Sequence, residues 1–418
     1  MSLPDEELRL IYADLHLHIG RTAAGEPVKI SGSRELTFRN IAEEASLRKG
    51  IGLLGVIDAH SPGVQSDIIR LLENGEMTEG KGGGIRYNDT TILLGAEIEV
   101  RDEGTRGAAH LLAYMPTFEA MQSFTEWMSR HMRNVRLSSQ RIYVTARRLQ
   151  EEVKARGGLF IPAHIFTPYK SLLGSCTDRI GDVLDPSLID AVELGLSADS
   201  EMAGWIPDLD RYPFLTNSDA HSLRKIGREY NAFLMAGPSF EEFKHVLLGE
   251  RGRAIKANYG LNPRLGKYHR TYCLKCGATG DTEEQSDDRC PVCGGVKLVS
   301  GVMERIARLA ELSGRTHSYV PADRPPYIYQ VPLEFVPGIG PKLMERLLDR
   351  FGTEMNILHQ ATQEQLAETA GEKAAKLIVS AREGTLRLHS GGGGRYGRVQ
   401  SETADTVLQG ARSARDEM

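Results

Sequence analysis

The sequence contains no long hydrophobic run, which argues against a protein that crosses a membrane by helices. None of its apolar stretches approaches the ~20 residues that a membrane-spanning helix needs. The acidic start, Met1–Glu7, also lacks the basic and apolar regions of a secretory signal peptide. These two absences predict a cytoplasmic protein without a membrane partner.

Cysteine is scarce, and the few that occur are not spread through the chain. Four of the five cysteines lie between Cys273 and Cys293, which leaves Cys176 alone and argues against a secreted disulfide framework. The chain also lacks a net positive charge, since its formal charge is −5. A surface for nucleic acid must therefore be local. Residues 251–280 fit that requirement, because they include seven Lys or Arg and no Asp or Glu.

Metal-ligand side chains are present, and they stand at the ends of short apolar runs. The first group is Asp14-Leu-His16-Leu-His18, after the run Leu8–Tyr12. A strand places residues i and i+2 on one face, so His16 and His18 point the same way and can hold one ion. The alternative is two histidines on a half-buried strand. Later runs, however, end in further candidates: Asp58, His60, Glu97, His110, His164, Asp219 and His221. Repeated endings of this kind predict a polynuclear metal site.

The order of elements in residues 1–260 predicts an α/β fold. Strand-like runs alternate with helical patterns, including helices expected at about 118–133 and 138–156. Such alternation favours parallel strands with right-handed crossovers, here closed into a barrel. Reactive groups of such barrels lie at the carboxyl ends of the strands, where the candidate ligands stand.

Two Cys-x2-Cys knuckles predict a separate metal site within residues 261–299. Each knuckle is followed by a glycine, Gly277 or Gly294, which lets backbone N–H groups turn toward the thiolates. Four thiolates in this pattern form a tetrahedral structural zinc site, with a redox pair as the alternative. The zinc ligands would be Cys273, Cys276, Cys290 and Cys293.

Residues 300–334 are expected to form a connector, and residues 335–388 a helix-hairpin-helix domain. In the segment Pro337–Lys342, Gly338 and Gly340 allow a tight turn, and the next helix offers free N–H groups and Lys342 to a DNA phosphate. A plain helical corner is the alternative, and Gly371 marks a weaker second copy. Residues 389–418 are polar and glycine-rich and are predicted to be disordered.

The order of the strand-end ligands resembles that of the polymerase-and-histidinol-phosphatase (PHP) metallophosphoesterases. The resemblance implies a distorted barrel that holds two or three divalent ions, as zinc, manganese or magnesium. It also implies a ligand set for each ion. One ion would be held by His16, His18, Glu97 and Asp219, and Glu97 would bridge to a second ion held by His110 and His164. Asp58, His60 and His221 would be left for a third. One departure concerns this third ion, because the segment Gly20–Glu26, where many members carry a further His or Asp, offers only Glu26.

The whole arrangement, over about residues 8–385, resembles the endonuclease Q family. That resemblance implies a DNA repair endonuclease that hydrolyses the phosphodiester 5′ to deaminated bases (uracil, hypoxanthine and xanthine) and to abasic sites. Damaged DNA, with replication or repair proteins, would be its partners. Asp219, Glu97 and His221 would be its catalytic residues.

The segment that follows the ligand His164 carries two candidates for contact with a damaged base, Phe166 and Tyr169. Packing in the core is the alternative for each. An alternative function is that of a small-molecule phosphatase, such as histidinol-phosphate phosphatase, which uses the same barrel. Such an enzyme needs neither a zinc ribbon nor a phosphate-binding hairpin.

Overall fold

The computed structural model describes residues 7–279, 289–386, 388–389 and 395–399. Its helices are α1 Phe38–Glu44, α2 Pro62–Glu73, α3 Phe118–Ser129, α4 Ala146–Ala155, α5 Ser200–Ala203, α6 Phe240–Leu248, α7 Val302–Ser313, α8 Pro341–Phe351, α9 Glu354–His359, α10 Gln363–Ala370 and α11 Glu372–Arg382. Its strands are β1 Arg9–Leu17, β2 Leu53–Val56, β3 Thr78–Glu79, β4 Ile85–Tyr87, β5 Thr90–Val100, β6 Ala109–Met115, β7 Leu159–Pro162, β8 Val192–Glu193, β9 Phe214–Leu215, β10 Tyr230–Met235, β11 Ala254–Gly260, β12 Tyr272–Cys273, β13 Leu298–Val299, β14 Tyr327–Tyr329, β15 Leu388–His389 and β16 Arg398–Val399.

One mixed sheet dominates the fold. Its strand order is β14-β11-β10-β1-β2-β5-β4-β3, and β5 also pairs with β6, which pairs with β7. The predicted parallel pairing is found in β1, β2 and β5, whereas β5, β6 and β7 run antiparallel. β5 and β6 are antiparallel because the connection between them, residues 101–108, is shorter than the dozen or so residues that a parallel crossover needs.

The strands curve into a distorted barrel that closes through β8 and β9. The backbone N–H of Ile165, after β7, donates to the carbonyl of Glu193 on β8 at 2.9 Å. β8 pairs in parallel with β9. Beyond β9, Ala220 forms a bridge with Leu17 at the end of β1. The predicted α/β barrel is therefore confirmed, and the ends of β1, β5, β7, β8 and β9 meet at one face.

Helix α4 is shorter than the pattern at 138–156 predicts. Thr145 is its N-cap, with its side-chain oxygen accepting from the backbone N–H of Arg148. Residues 138–145 are not helical, and Ser139 adopts a left-handed backbone conformation with φ of +54°. The segment that precedes α4 is thereby free to run along the functional face of the barrel.

The chain beyond the barrel returns to it at several places. β14, in the predicted connector, pairs in parallel with β11 and extends the main sheet. The helices α8 and α9 then pack against the barrel, where Arg48 pairs with Glu345 at 2.7 Å and Lys49 with Glu354 at 2.8 Å. These contacts fix the C-terminal helices to the barrel wall.

The segment Pro337–Lys342 leads directly into α8, as the sequence predicts, but only a short 3-10 turn, Leu333–Phe335, precedes it. Gly338 has a φ of +87°, as a tight turn requires. At the second copy, two helices, α10 and α11, flank Gly371. The helix-hairpin-helix assignment therefore stays a prediction, as do the domain boundaries.

Part of the tail that the sequence predicts to be disordered has defined structure. β15 and β16 pair in antiparallel fashion. Residues 390–394 and 400–418, like the acidic residues 281–288, lie outside the described residues. Within those residues, no helix combines the length and the apolar character needed to cross a membrane.

Candidate metal centre

Two groups of metal-ligand side chains meet at one face of the barrel, where most strands have their carboxyl ends and the antiparallel strand β6 has its amino end. The first consists of His16, His18 and Asp219, and the second of Glu97, His110 and His164. Within each group the ligand atoms lie within 4.8 Å of one another. Strands β1, β5, β6 and the segments after β7 and β9 supply these residues, so the strand-end pattern of the sequence has brought them together. Their roles as ligands stay a prediction.

Glu97 lies between the two groups. Its Oε1 atom is 2.8 Å from His110 Nδ1 and 3.3 Å from His164 Nε2, in the second group. It is also 3.5 Å from Nε2 of His16, in the first. The second oxygen, Oε2, is 3.7 Å from His18 Nε2. A carboxylate that faces both groups in this way has the geometry of a bridging ligand, which supports the bridging role implied by the family resemblance.

Glu193, at the end of β8, is a residue of the candidate site that the sequence analysis missed. It is buried, and its two oxygens lie 2.9 and 3.1 Å from His16 Nδ1. Its carboxylate also accepts from the backbone N–H of His164 at 2.7 Å. A carboxylate on one imidazole nitrogen fixes the tautomer and leaves the other nitrogen free for an ion. The run Ala191–Leu194 carries the same strand-end pattern as the other ligands, so the same criterion would have identified Glu193.

Asp58, expected above at a third ion, contacts His18. Its Oδ2 atom is 3.0 Å from His18 Nδ1 and accepts from the backbone N–H of Ile19 at 2.8 Å. His221 lies beside the first group, with its ring centroid 4.8 Å from that of His18. In the part of the chain that the structure describes, Asp58, His60 and His221 form no group of their own. A third ion therefore stays a prediction.

Two of the candidate ligands hold unusual backbone conformations. His164 has a φ of +26° and Asp219 a φ of +46°, in the left-handed region that residues other than glycine rarely adopt. Such strain persists only where the surroundings enforce it, and it concentrates at functional sites. Here it turns both side chains toward the same cavity.

Charge complementarity keeps the carboxylates of the cluster ionised. Burial alone would raise the pKa of Glu97, but the imidazoles of His110, His16 and His164 hold that pKa well below its usual range. Burial likewise opposes ionisation of Asp219, yet the neighbouring histidines, His16 foremost, hold its pKa well below the ordinary value. Both side chains are thus available as anionic ligands at neutral pH.

Several buried polar atoms of the cluster lack hydrogen-bond partners within the described residues. These atoms are His16 Nε2, His110 Nε2 and Asp219 Oδ1. An unpaired buried polar atom costs free energy, so such atoms are rare in folded proteins unless a ligand satisfies them. Imidazole and carboxylate donors in one cluster fit divalent ions such as zinc or manganese.

A cavity of about 560 Å³ opens above the two groups. Lys29, another residue missed from the sequence, reaches into it with Nζ 3.5 Å from Glu97 Oε2 and 2.7 Å from Ser139 Oγ. Ser139 itself donates to Glu97. Neither residue follows a strand, so the strand-end criterion could not find them, and the helix predicted at 138–156 concealed Ser139.

The two candidates for base contact differ in their placement. Tyr169 lines the cavity and is 46% exposed. Its hydroxyl lies 3.0 Å from that of Tyr272, beside the four cysteines. Phe166 is 1% exposed and packs in the core. The structure therefore does not place Phe166 where a base could reach it, which agrees with the core alternative.

The four cysteines form a separate group. The Sγ atoms of Cys273, Cys276, Cys290 and Cys293 lie within 4.8 Å of one another. Gly277 and Gly294, with φ of +72° and +66°, make the turns after each knuckle. This arrangement is what a tetrahedral metal site needs, and it agrees with the spacing argument from the sequence.

No family model matches the chain, but several known proteins resemble it over nearly its whole length. The crystal structure of the lesion-specific endonuclease PfuEndoQ from Pyrococcus furiosus superposes with a TM-score of 0.80 at 33% identity, covering 94% of this chain and 95% of that one. Endonuclease Q in complex with a 27-mer duplex that carries an abasic lesion at the active site gives a TM-score of 0.81 at 33% identity, covering 94% and 98%. The uncharacterized protein YqxK of Bacillus subtilis (strain 168) is 51% identical over 394 residues, 94% of this chain and 100% of that protein.

The chain is similar to these endonucleases over nearly its whole length, and two groups of metal-ligand side chains lie at the bottom of its cavity. Together these findings define a metal-dependent hydrolase that acts on phosphodiester bonds. The likeness extends past the barrel to the four-cysteine segment and the C-terminal helices, since it covers 94% of the chain. The chain belongs to the endonuclease Q family.

Proposed function

We propose that the protein is a lesion-specific DNA endonuclease that cuts the backbone 5′ to uracil, hypoxanthine, xanthine and abasic sites. The observation that carries this proposal is the cavity in which both ligand groups lie beside lysine, arginine and tyrosine side chains. Anionic phosphodiesters and planar bases are the partners that such a surface binds. The relatives, one of which is bound to a duplex with an abasic lesion, support a DNA substrate.

The residues of the cluster have distinct proposed tasks. Divalent ions bound here would activate a water molecule and neutralise the charge that develops on the phosphate. Asp219 and Glu97 supply anionic ligands, and Glu193 and Asp58 orient His16 and His18 through their Nδ1 atoms. Lys29 neutralises charge on the Glu97 side of the cavity. His221, 35% exposed and beside Asp219, is positioned to exchange a proton with the reacting groups.

The four cysteines are proposed to bind structural zinc. Their segment is short, and a bound ion stabilises such a segment in place of an apolar core. Tyr272, next to Cys273, contacts Tyr169 at the rim of the cavity. Zinc in this position would keep the basic stretch that precedes β12 against the cavity.

Cleavage of defined duplexes tests the proposed function. Labelled duplexes with one uracil, hypoxanthine, xanthine or abasic site should be cut on the 5′ side of the lesion, and the undamaged duplex should stay intact. The product ends, a 3′-hydroxyl and a 5′-phosphate, are checked by ligation. Hydrolysis of a small phosphate monoester without cutting of any duplex would instead support the phosphatase alternative.

The exposed hairpin before α8 is proposed to bind phosphate without reading bases. α8 starts at Pro341, and its N-cap, Gly340, has no side chain to cap the helix. Within the described residues the backbone N–H of Lys342 has no hydrogen-bond partner, and the Lys342 side chain is exposed. Lys342→Glu should weaken binding about tenfold for damaged and undamaged duplexes alike, because a favourable phosphate contact becomes repulsive. Fluorescence anisotropy at two salt concentrations measures this.

A matched control is Lys81→Glu, which makes the same change of charge on an exposed loop away from the cavity. Equal weakening by both variants would point to a general charge effect. A change in the ranking of the lesions with Lys342→Glu would contradict the division between phosphate binding and base recognition.

A further inference from the structure

The cationic side chains that line the cavity divide into two kinds. Three lysines each lie near a carboxylate. Their pairs are Lys29 with Glu97 at 3.5 Å, Lys170 with Glu99 at 2.8 Å and Lys225 with Glu334 at 2.6 Å. The remaining two, Arg228 and Lys267, make no ion pair with a carboxylate anywhere in the described ranges. Their charge is therefore available to a ligand in the cavity.

Arg228 is held firmly despite having no carboxylate partner. It is 9% exposed, and its Nε donates to the carbonyl of Ser218 at 2.8 Å. Ser218 immediately precedes the candidate ligand Asp219, so the guanidinium is tied to the edge of the metal centre. Burial of an arginine without a counter-ion is costly. An anionic ligand in the cavity would remove that cost.

The C-terminal segment 395–399 supplies the residue that joins the two cations. The backbone N–H of Gly397 donates to the carbonyl of Leu265 at 2.9 Å and so attaches the segment beside Lys267. The hydroxyl of Tyr396 accepts from Arg228 Nη1 at 3.2 Å. Its ring faces both cations, with Arg228 and Lys267 each 5.5 Å from the ring centroid. We call residues 395–399 the C-terminal strap.

We infer that the C-terminal strap completes the active site, and that Arg228, Lys267 and Tyr396 form a binding site for a backbone phosphate of the strand that is cut. The two cations bind the phosphate, and Tyr396 is a positioning residue that holds them at the cavity wall. This inference rests on the proposed function, because it takes the ligand to be DNA.

The chemistry favours a phosphate over other anions that fit the cavity. A guanidinium and an ammonium that line the same cavity and face the same ring offer donors to several oxygens of one phosphate group. The site also adjoins the metal centre, since Arg228 binds the backbone next to Asp219. When the scissile phosphodiester lies at the metal centre, a neighbouring phosphate would therefore contact Arg228 and Lys267.

Substitution of Tyr396 tests the role of the strap. Tyr396→Ala should raise KM for an abasic-site duplex about tenfold and leave kcat within about twofold. The variant loses the hydrogen bond to Arg228 and the two cation–π contacts that hold Arg228 and Lys267 in place to bind the phosphate. Tyr396→Phe keeps the ring and loses only the hydroxyl, so its KM should rise about threefold. A chain that ends at Arg395 should behave like Tyr396→Ala.

The matched control is Tyr319→Ala. The ring of Tyr319 likewise lies 5.6 Å from an arginine, Arg315, but neither residue lines the metal cavity. Its KM should equal that of the wild type.

Duplex binding without added divalent metal gives a readout that does not depend on catalysis. Arg228→Gln and Lys267→Gln should each reduce the slope of log affinity against log salt by about one, as expected when one phosphate contact is lost. Circular dichroism and melting of each variant establish that the fold is retained.

The outcomes separate this inference from the proposed function. If the wild type cuts none of the lesion duplexes, the proposed function is wrong. If the wild type cuts them and the Tyr396 variants and the shortened chain match it, the strap has no part in the site. A lower KM in those variants would show that the strap blocks the cavity and is displaced by DNA, which would also overturn the inference.

Discussion

Replacement of Asp219 by Asn is expected to lower the rate of cleavage by about three orders of magnitude, since several kcal/mol of charge stabilisation are lost and each 1.36 kcal/mol is tenfold. Asp219 Oδ1 lies 3.6 Å from His16 Nε2 and 3.5 Å from His18 Nε2. The neutral amide has almost the same shape, and asparagine tolerates a left-handed backbone as well as aspartate does. The fold should therefore survive, and the loss should come from the weaker binding and activation of the ions.

The measurement is single-turnover cleavage of an abasic-site duplex, together with duplex binding by anisotropy. Without added metal, duplex binding should stay close to that of the wild type, because the anionic Asp219 makes no favourable contact with a phosphate. Asp323→Asn, at an exposed position of the connector, provides the matched control. Cleavage by Asp219→Asn at nearly the wild-type rate would mean that the cluster is not the active site.

The second large effect is expected at Glu193, whose carboxylate contacts the candidate ligand His16. Glu193→Gln should reduce cleavage about 10- to 100-fold at limiting metal, the usual cost of losing a carboxylate that orients a ligand histidine. Glutamine would also turn an N–H group toward one of the donors that now surround the carboxylate, His16, the backbone N–H of His164 and Asn217 Nδ2. High metal concentration should restore much of the rate, because the defect lies in metal affinity.

Glu229 offers a close control for that variant. It too is fully buried, but its carboxylate accepts from the backbone N–H of Leu261 at 2.8 Å and contacts no candidate ligand. Burial raises the pKa of Glu229 to about 8. The side chain is therefore largely neutral at pH 7, and Glu229→Gln should change the metal dependence little. If both variants need more metal to the same extent, Glu193 has no special role.

The fold and most of the candidate site could be predicted because one rule governs both. Strands that feed a barrel place their last side chains at one face, so His16, Glu97 and Asp219 could be found as strand-end residues. Glu193 obeys the same rule and was overlooked, although its run is visible in the sequence. The four cysteines could be found by spacing alone, since each knuckle needs only a short local turn.

The remaining residues depend on tertiary contacts that leave no local pattern. Ser139 stands where apolar spacing favours a helix, but the contact of its side chain with Glu97 and its left-handed backbone prevail over that preference. Tyr396 lies in a glycine-rich tail, and contacts of the C-terminal strap with Arg228, Lys267 and Leu265 bring it to the cavity. Phe166 follows a ligand in sequence, yet the turn after β7 directs its ring into the core.

The pairing of β11 with β14 has a consequence for synthesis of the chain on the ribosome. Residues 261–326 separate the two strands, so the outer edge of β11 has no partner until Tyr327–Tyr329 have been made. An uncovered strand edge is a template for association with other chains. A nascent chain that has finished the barrel and is still making the four-cysteine segment therefore exposes an edge that favours aggregation. Rapid binding of metal by the cysteines would shorten that stage, because it draws the intervening residues together and brings β14 close to the unpaired edge of β11.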